Sequence, residues 1–347
     1  MISRSKGSLL AALLAVLLLL GACTDEPRGG GNDDESDVAA HPEVPPYCPL
    51  TGEDPPKGVK LVRPALALKI ENSPDARPQS GLDRADIVYE EIVEGGATRF
   101  MAIYHCYDAA QGGPVRSARF DDPSIAKPFT SILAYSGGNS IVVNELKKRK
   151  LISLTELNAD GALFRVPAGS TDVHSLYGDT TRLRKLGEKR GKPKPPESGY
   201  FKFEDAPGGA KAKSVTLKFN PSVEIAWRWK GGRWVRFEGG VPFLAAGGKQ
   251  IGTDNLLVQE VEVNDSERVF DVAGNPSPDI VLDGKGRAFL FREGKVIKGS
   301  WKNGRNGVPR FKTKNGEPFT FKEGSTWIEL VPSNKGSVKG EIAFTKK

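Results

Sequence analysis

Between Lys69 and Arg119, short apolar runs and glycines are interleaved with Glu71, Asn72, Arg77, Gln79, Glu90, Glu94, Thr98, Arg99, Arg116 and Arg119. This stretch constrains the fold more than any other. A charge set into strand-like sequence must find a partner or a way out to water. These groups therefore either pair with one another or converge on a site.

The elements around them can be read in order. Leu66–Ile70 is a buried strand, and the proline- and glycine-punctuated segment 72–81 is a loop. The β-branched and aromatic bias of Asp86–Glu94, then Gly95-Gly96, then the apolar run Phe100–Tyr104, predicts a hairpin. Glu90 and Glu94 are expected on one face of their segment. Gly112-Gly113-Pro114 turns the chain so that Arg116 and Arg119 lead into a helix, with Asp122 as N-cap and Pro123 at the first helical position. Ser131–Tyr135 reads as a strand. Ser140–Lys150 reads as a helix with Ile141, Val142 and Leu146 inside, and Asp179–Arg190 as a second, basic helix. Strands and helices alternate, so residues 47–200 are expected to form an N-terminal domain of α+β or α/β class.

The run GKPKPP at 191–196 breaks that pattern. Beyond it, Val215–Phe219, Glu224–Lys230, Arg233–Glu238, Ala288–Phe291 and Val296–Trp301 are strand-like runs separated by glycine turns. They predict a mainly antiparallel β C-terminal domain over 201–347. Pairing about Gly231-Gly232 would set Trp229 opposite Trp234.

The N-terminus speaks to location. Arg4 and Lys6 precede the 12-residue apolar run Leu9–Leu20, which is too short to span a bilayer comfortably. Leu20-Gly21-Ala22-Cys23 looks like a bacterial lipobox, so 1–22 is expected to be a lipoprotein signal peptide and Cys23 the lipidated residue. Residues 23–46 have almost nothing apolar to bury and form a flexible tether. The expected location is the extracytoplasmic face of the cell membrane, with the lipid on Cys23 as the membrane contact. Outside the cytoplasm Cys48 and Cys106 are expected to pair. A formal charge of +7 is modest and spread out, and in the envelope it offers no case for nucleic acid.

Three kinds of chemistry can be weighed. Arg77, Arg99, Arg116 and Arg119 offer bidentate donors for carboxylate or phosphate, with Asn72, Gln79, Thr98 and Ser117 to orient the ligand. Glu71, Glu90 and Glu94 are candidates for acid–base work on a glycan, with His174 assisting. Alternatively the same arginines and glutamates neutralise each other in a purely structural network. His105 and His174 have no partner at metal-ligand spacing, so neither metal nor cofactor is expected. G-x-S-x-G, Walker A and dinucleotide motifs are absent.

The strings Glu71-Asn72, Ala76-Arg-Pro-Gln-Ser-Gly-Leu82, Ala85-Asp-Ile-Val-Tyr-Glu90, Glu94-Gly-Gly96, Thr98-Arg99 and Gly113-Pro-Val-Arg-Ser-Ala-Arg119 resemble the YerB-type bacterial lipoproteins, a family defined by a paired domain of unknown function. Cys48-Pro-Leu-Thr-Gly52, Tyr135-Ser-Gly-Gly-Asn139 and Thr326-Trp-Ile328 extend the likeness over roughly residues 48–332. His174-Ser-Leu-Tyr177 departs from the family's usual His-Asn-Leu-Tyr at Ser175. The resemblance implies a lipid-anchored extracytoplasmic protein and brings no activity with it. The reading that follows is a non-enzymatic lipoprotein holding an anionic ligand or envelope protein partner, with a glycan hydrolase or transferase and a structural scaffold as alternatives.

Overall fold

The computed structural model describes residues 45–205, 208–271, 273–303 and 307–345. The leader, Cys23 and the tether up to residue 44 lie outside the described residues. Val44–Lys347 clusters as one compact unit.

Strand β1 (Leu66–Glu71) is buried along its whole length, as expected of a strand covered on both faces. Strands β2 (Ile87–Ile92) and β3 (Thr98–Tyr104) form the expected hairpin, and β3 pairs antiparallel with β1. On the other side β1 pairs parallel with β4 (Ile132–Ala134), and β4 with β5 (Ile152–Leu154). Helix α1 (Asp122–Ala126) comes before β4, α2 (Ser140–Lys148) crosses from β4 to β5, and α3 (Thr180–Arg190) packs on β1, β4 and β5. The Cys48–Cys106 disulfide, with Cα atoms 6.0 Å apart, ties the leading segment to the end of β3.

The C-terminal half supplies β6 (Ser214–Asn220), β7 (Val223–Lys230), β8 (Arg233–Glu238), β9 (Asn255–Phe270), β10 (Pro276–Val281), β11 (Lys285–Arg292), β12 (Lys295–Asn303), β13 (Pro309–Thr313), β14 (Thr326–Pro332) and β15 (Glu341–Thr345). Most of these pair antiparallel, and Trp229 faces Trp234 across β7–β8 with rings 5.8 Å apart. β14 departs from that pattern. It lies parallel to β9 on one side and parallel to β2 on the other. One 12-stranded sheet therefore runs β13-β12-β11-β9-β14-β2-β3-β1-β4-β5, with β10 paired to β9 and the short strand Ala210–Lys211 paired to β12 off this path, and it draws on both halves of the chain. A second sheet of six strands, built on β8-β7-β6-β15, packs against β14 and β11.

Two local expectations are corrected. The N-cap of α1 is Asp121, with Asp122 and Pro123 inside the helix. Ile141 is 40% exposed, while Val142 and Leu146 are buried, because α2 is a surface helix with a narrow buried stripe.

Candidate functional site

Strand β2 sends consecutive glutamates to opposite faces of the large sheet, as the two-residue period requires. Each meets a different cation. On one face, Glu90 takes both carboxylate oxygens to Arg236 Nη2, at 2.9 and 3.1 Å. On the other, Glu91 pairs with Lys69, whose Nζ also reaches Asp122 Oδ1 at 2.6 Å. All five residues are buried, and Glu91 and Asp122 share the one Lys69 ammonium; burial first, and the Asp122 charge among the lesser causes, bring the Glu91 pKa up to about 7.

The Glu90 side is a seam between the two sheets. Arg236 Nη1 lies 2.7 Å from Glu238 Oε2, and Arg77 pairs with the other oxygen of Glu238. Thr98 Oγ1 donates to Glu90 at 2.8 Å, and Asn72 Nδ2 donates to Thr98 Oγ1 at 2.7 Å and to Glu238 at 3.3 Å. Gln79 Nε2 donates to the Glu71 carbonyl at 3.0 Å. Trp227 of the second sheet donates to Glu329 of β14 at 2.7 Å. The Arg236 guanidinium lies 4.0 Å from the Phe243 ring centroid. Of the expected ligand-binding residues, Asn72, Gln79 and Thr98 thus belong to an interior network, with the part-exposed Arg77 at its edge.

The remaining ones gather elsewhere. β1 and β4 run parallel, and their C-terminal ends diverge. The segment Pro114–Ala118 wedges between them: Arg116 N donates to Lys69 O and Ser136 N to Arg116 O, both at 3.0 Å, and Ala118 N donates to Gly137 O at 2.9 Å. Arg116, Ser117 and Arg119 are thereby carried to the crevice beyond the carboxyl ends of parallel strands, the usual ligand position in open α/β sheets. Arg99 joins them from β3, where its Cα partner on β1 is Glu71. Arg99 is 8% exposed, and Nη1 donates to Ser117 O at 3.1 Å while Nε, also buried, has no acceptor among the described residues. Burial, and then the charge of Arg119, bring its pKa down to about 10.

Glu71 is the hub. Its Oε1 is 3.1 Å from Arg116 Nε, and its Oε2 accepts from His174 Nδ1 at 2.8 Å. Arg119 pairs with Glu94, which also accepts from Ser277 Oγ. The side chains of Arg116 and His174 are 28% and 23% exposed and open the cluster to solvent. Clefts of about 570 and 560 Å³ lie elsewhere and share no residue with it.

Glu90 and Glu94 do not act together as expected. Glu94 lies past the end of β2, in a turn through Gly95 at φ 69°, and joins Arg119 while Glu90 joins Arg236. The first N–H groups of α1 are taken by backbone carbonyls: Asp122 N donates to Arg119 O at 3.2 Å, and Ser124 N and Ile125 N donate to Asp121 O at 2.9 and 3.3 Å. Sequence reasoning missed Arg236, Glu238 and Glu329, as well as the Lys69–Glu91–Asp122 triad. A signal existed for Arg236: it shares strand parity with Trp234, and both are fully buried. Among the described residues, no group of three His, Cys, Asp or Glu is placed to hold a metal ion.

The architecture is thus that of a mixed-sheet protein with a buried ionic seam and an arginine-rich cluster at its strand ends. Its family follows from two matching models, the N-terminal domain (residues 50–193) and the C-terminal domain (214–328) of the protein of unknown function DUF3048, so the chain belongs to the DUF3048 family. It is 32% identical over 294 residues to the Bacillus subtilis (strain 168) protein named "Putative lipoprotein YerB", covering 82% of this chain and 86% of that one. The crystal structure of YerB from Bacillus subtilis superposes with a TM-score of 0.72 at 28% identity, covering 85% of this chain and 98% of the other. Among the described residues, no helix is long and apolar enough to cross a membrane.

Proposed function

We propose that this DUF3048 protein is tethered to the extracytoplasmic face of the membrane through a lipid on Cys23 and binds an anionic ligand at Arg99, Arg116 and Arg119. The lipobox-like Leu20–Cys23 and the lipoprotein name of its relative support the anchor. One observation carries the binding reading: three guanidiniums face only two carboxylates, and they keep donors in reserve. Arg116 engages Glu71 through Nε, and the buried Nε atoms of Arg99 and Arg119 have no acceptor among the described residues. Buried donors left without acceptors are unfavourable, and an incoming anion would relieve them.

The test takes full-length protein from cells. Wild type is expected in the membrane fraction until detergent is added, and C23S in the soluble fraction. Detergent-extracted wild type is expected to bind inorganic phosphate by calorimetry, and R116A to weaken binding by about tenfold or more with an unchanged near-UV spectrum. Wild type that ignores phosphate, or an R116A that binds it equally well, refutes the binding reading. C23S that stays in the membrane fraction refutes the anchor.

A further inference from the structure

The pairing of Glu71 with His174 does more than neutralise charge. A carboxylate accepting from Nδ1 fixes the imidazole tautomer and leaves Nε2 as the lone-pair nitrogen. His174 is part-exposed, and its Nε2 has no protein partner among the described residues. The loop that carries it is fastened from within: Asp172 Oδ1 accepts from His174 N at 2.9 Å, and Ser175 Oγ donates to Asp172 O at 2.6 Å. Arg165 Nη1 donates to the same Asp172 carbonyl at 2.8 Å. Glu71 also holds Arg116, so one carboxylate sets a base and a cation side by side.

We infer that this cluster hydrolyses a phosphate ester, a phosphodiester in the first instance, with His174 as the general base and Glu71 as its positioning residue. The inference rests on the anion-binding reading above. Guanidiniums suit an electrophile whose own oxygens are negative, whereas a neutral ester or amide calls for N–H donors at one carbonyl oxygen. Arg116 and Arg99 hold the two non-bridging oxygens. His174 Nε2 takes a proton from a water molecule as the water oxygen bonds to phosphorus. The P–O bond to the ester group opposite the water breaks, its electron pair leaves on that oxygen, which takes a proton from solvent, and Nε2 gives its own proton up to solvent. One water enters, one alcohol and one phosphomonoester leave, and the imidazole returns to its starting form.

The experiment uses full-length protein in detergent, with bis(p-nitrophenyl) phosphate for turnover and inorganic phosphate for binding. Wild type is expected to release p-nitrophenolate. H174Q is expected to lose about a hundredfold or more in kcat, with phosphate affinity within about threefold. Phosphate binding without turnover, or turnover equal in H174Q, overturns the hydrolytic inference and leaves the binding reading standing. Absence of phosphate binding removes both. If H174Q does not fold, diethyl pyrocarbonate on wild type decides. Loss of turnover in step with modification of His174, slowed by phosphate, supports the assignment. Turnover that survives modification of His174 overturns it.

Discussion

Glu329 and Glu90 are Cα partners across the parallel β14–β2 pair, both fully buried, and Arg236 contacts Glu90. Burial first, and then the nearby charge of Glu90, push the Glu329 carboxyl well above its ordinary value of 4.5. Its protonated form is therefore favoured more strongly in the fold than in the unfolded chain. Folding takes up a proton there, so this residue's contribution is fully present below about pH 4.5 and is lost as pH rises toward the folded value. Glutamine is neutral in both states, and its amide oxygen still accepts from Trp227. E329Q is expected to raise the urea midpoint at pH 8, with the gain shrinking toward zero near pH 4.5. An equal or lower midpoint at pH 8 would contradict this account.

Helix α3 sits close to β4 because its eighth residue has no side chain. A Cβ on Gly187 would stand 2.5 Å from Ile132 Cδ1 and under 3.0 Å from two further atoms of that side chain. Ile132 is β-branched and fully buried, so it has little freedom to yield. G187A should therefore destabilise the protein by about 1–3 kcal/mol, although alanine is the better helix former by about 1 kcal/mol. Denaturant melts check this, and I132V in the G187A background should recover part of the loss. Stabilisation by G187A would show that helix and sheet are not held in contact there. The apolar periodicity of α3 is visible in its residues, but the identity of its neighbour is not. The same holds for Ile141, whose place in a helical stripe is legible while the face that meets the core is decided by β5.

The large sheet closes only when β14, more than 200 positions after β2 in the chain, slides in beside it. The Glu90–Arg236 pair and the Asn72–Glu238 and Arg77–Glu238 contacts cross the same seam. Residues 47–200 expressed alone would expose β2 as a bare edge and leave Glu90 buried or half-buried without its cation, which costs about 3–5 kcal/mol. That fragment is expected to show no cooperative melt, whereas the whole chain should unfold in one transition by both tryptophan fluorescence and far-ultraviolet circular dichroism. A fragment that melts cooperatively by itself would show that each half folds independently.

Alternation, glycine turns and caps made β1–β3, α2, α3 and the β6–β8 meander legible, because the signals for these elements are local. The sequence by itself also determined the Cys48–Cys106 pair and the density of arginine and glutamate between Lys69 and Arg119. It could not sort those charges. Which glutamate meets which cation depends on strand parity, on where β2 ends, and on Arg236, Glu238 and Glu329 arriving from distant strands. Tertiary structure made that decision. It drew Asn72, Arg77, Gln79, Thr98 and Glu90 into the seam and left Glu71, Arg99, Arg116, Arg119 and His174 at the strand ends. The physical reason is that a buried charge is tolerated only beside its partner, and partners far apart in sequence become neighbours only when the sheets close.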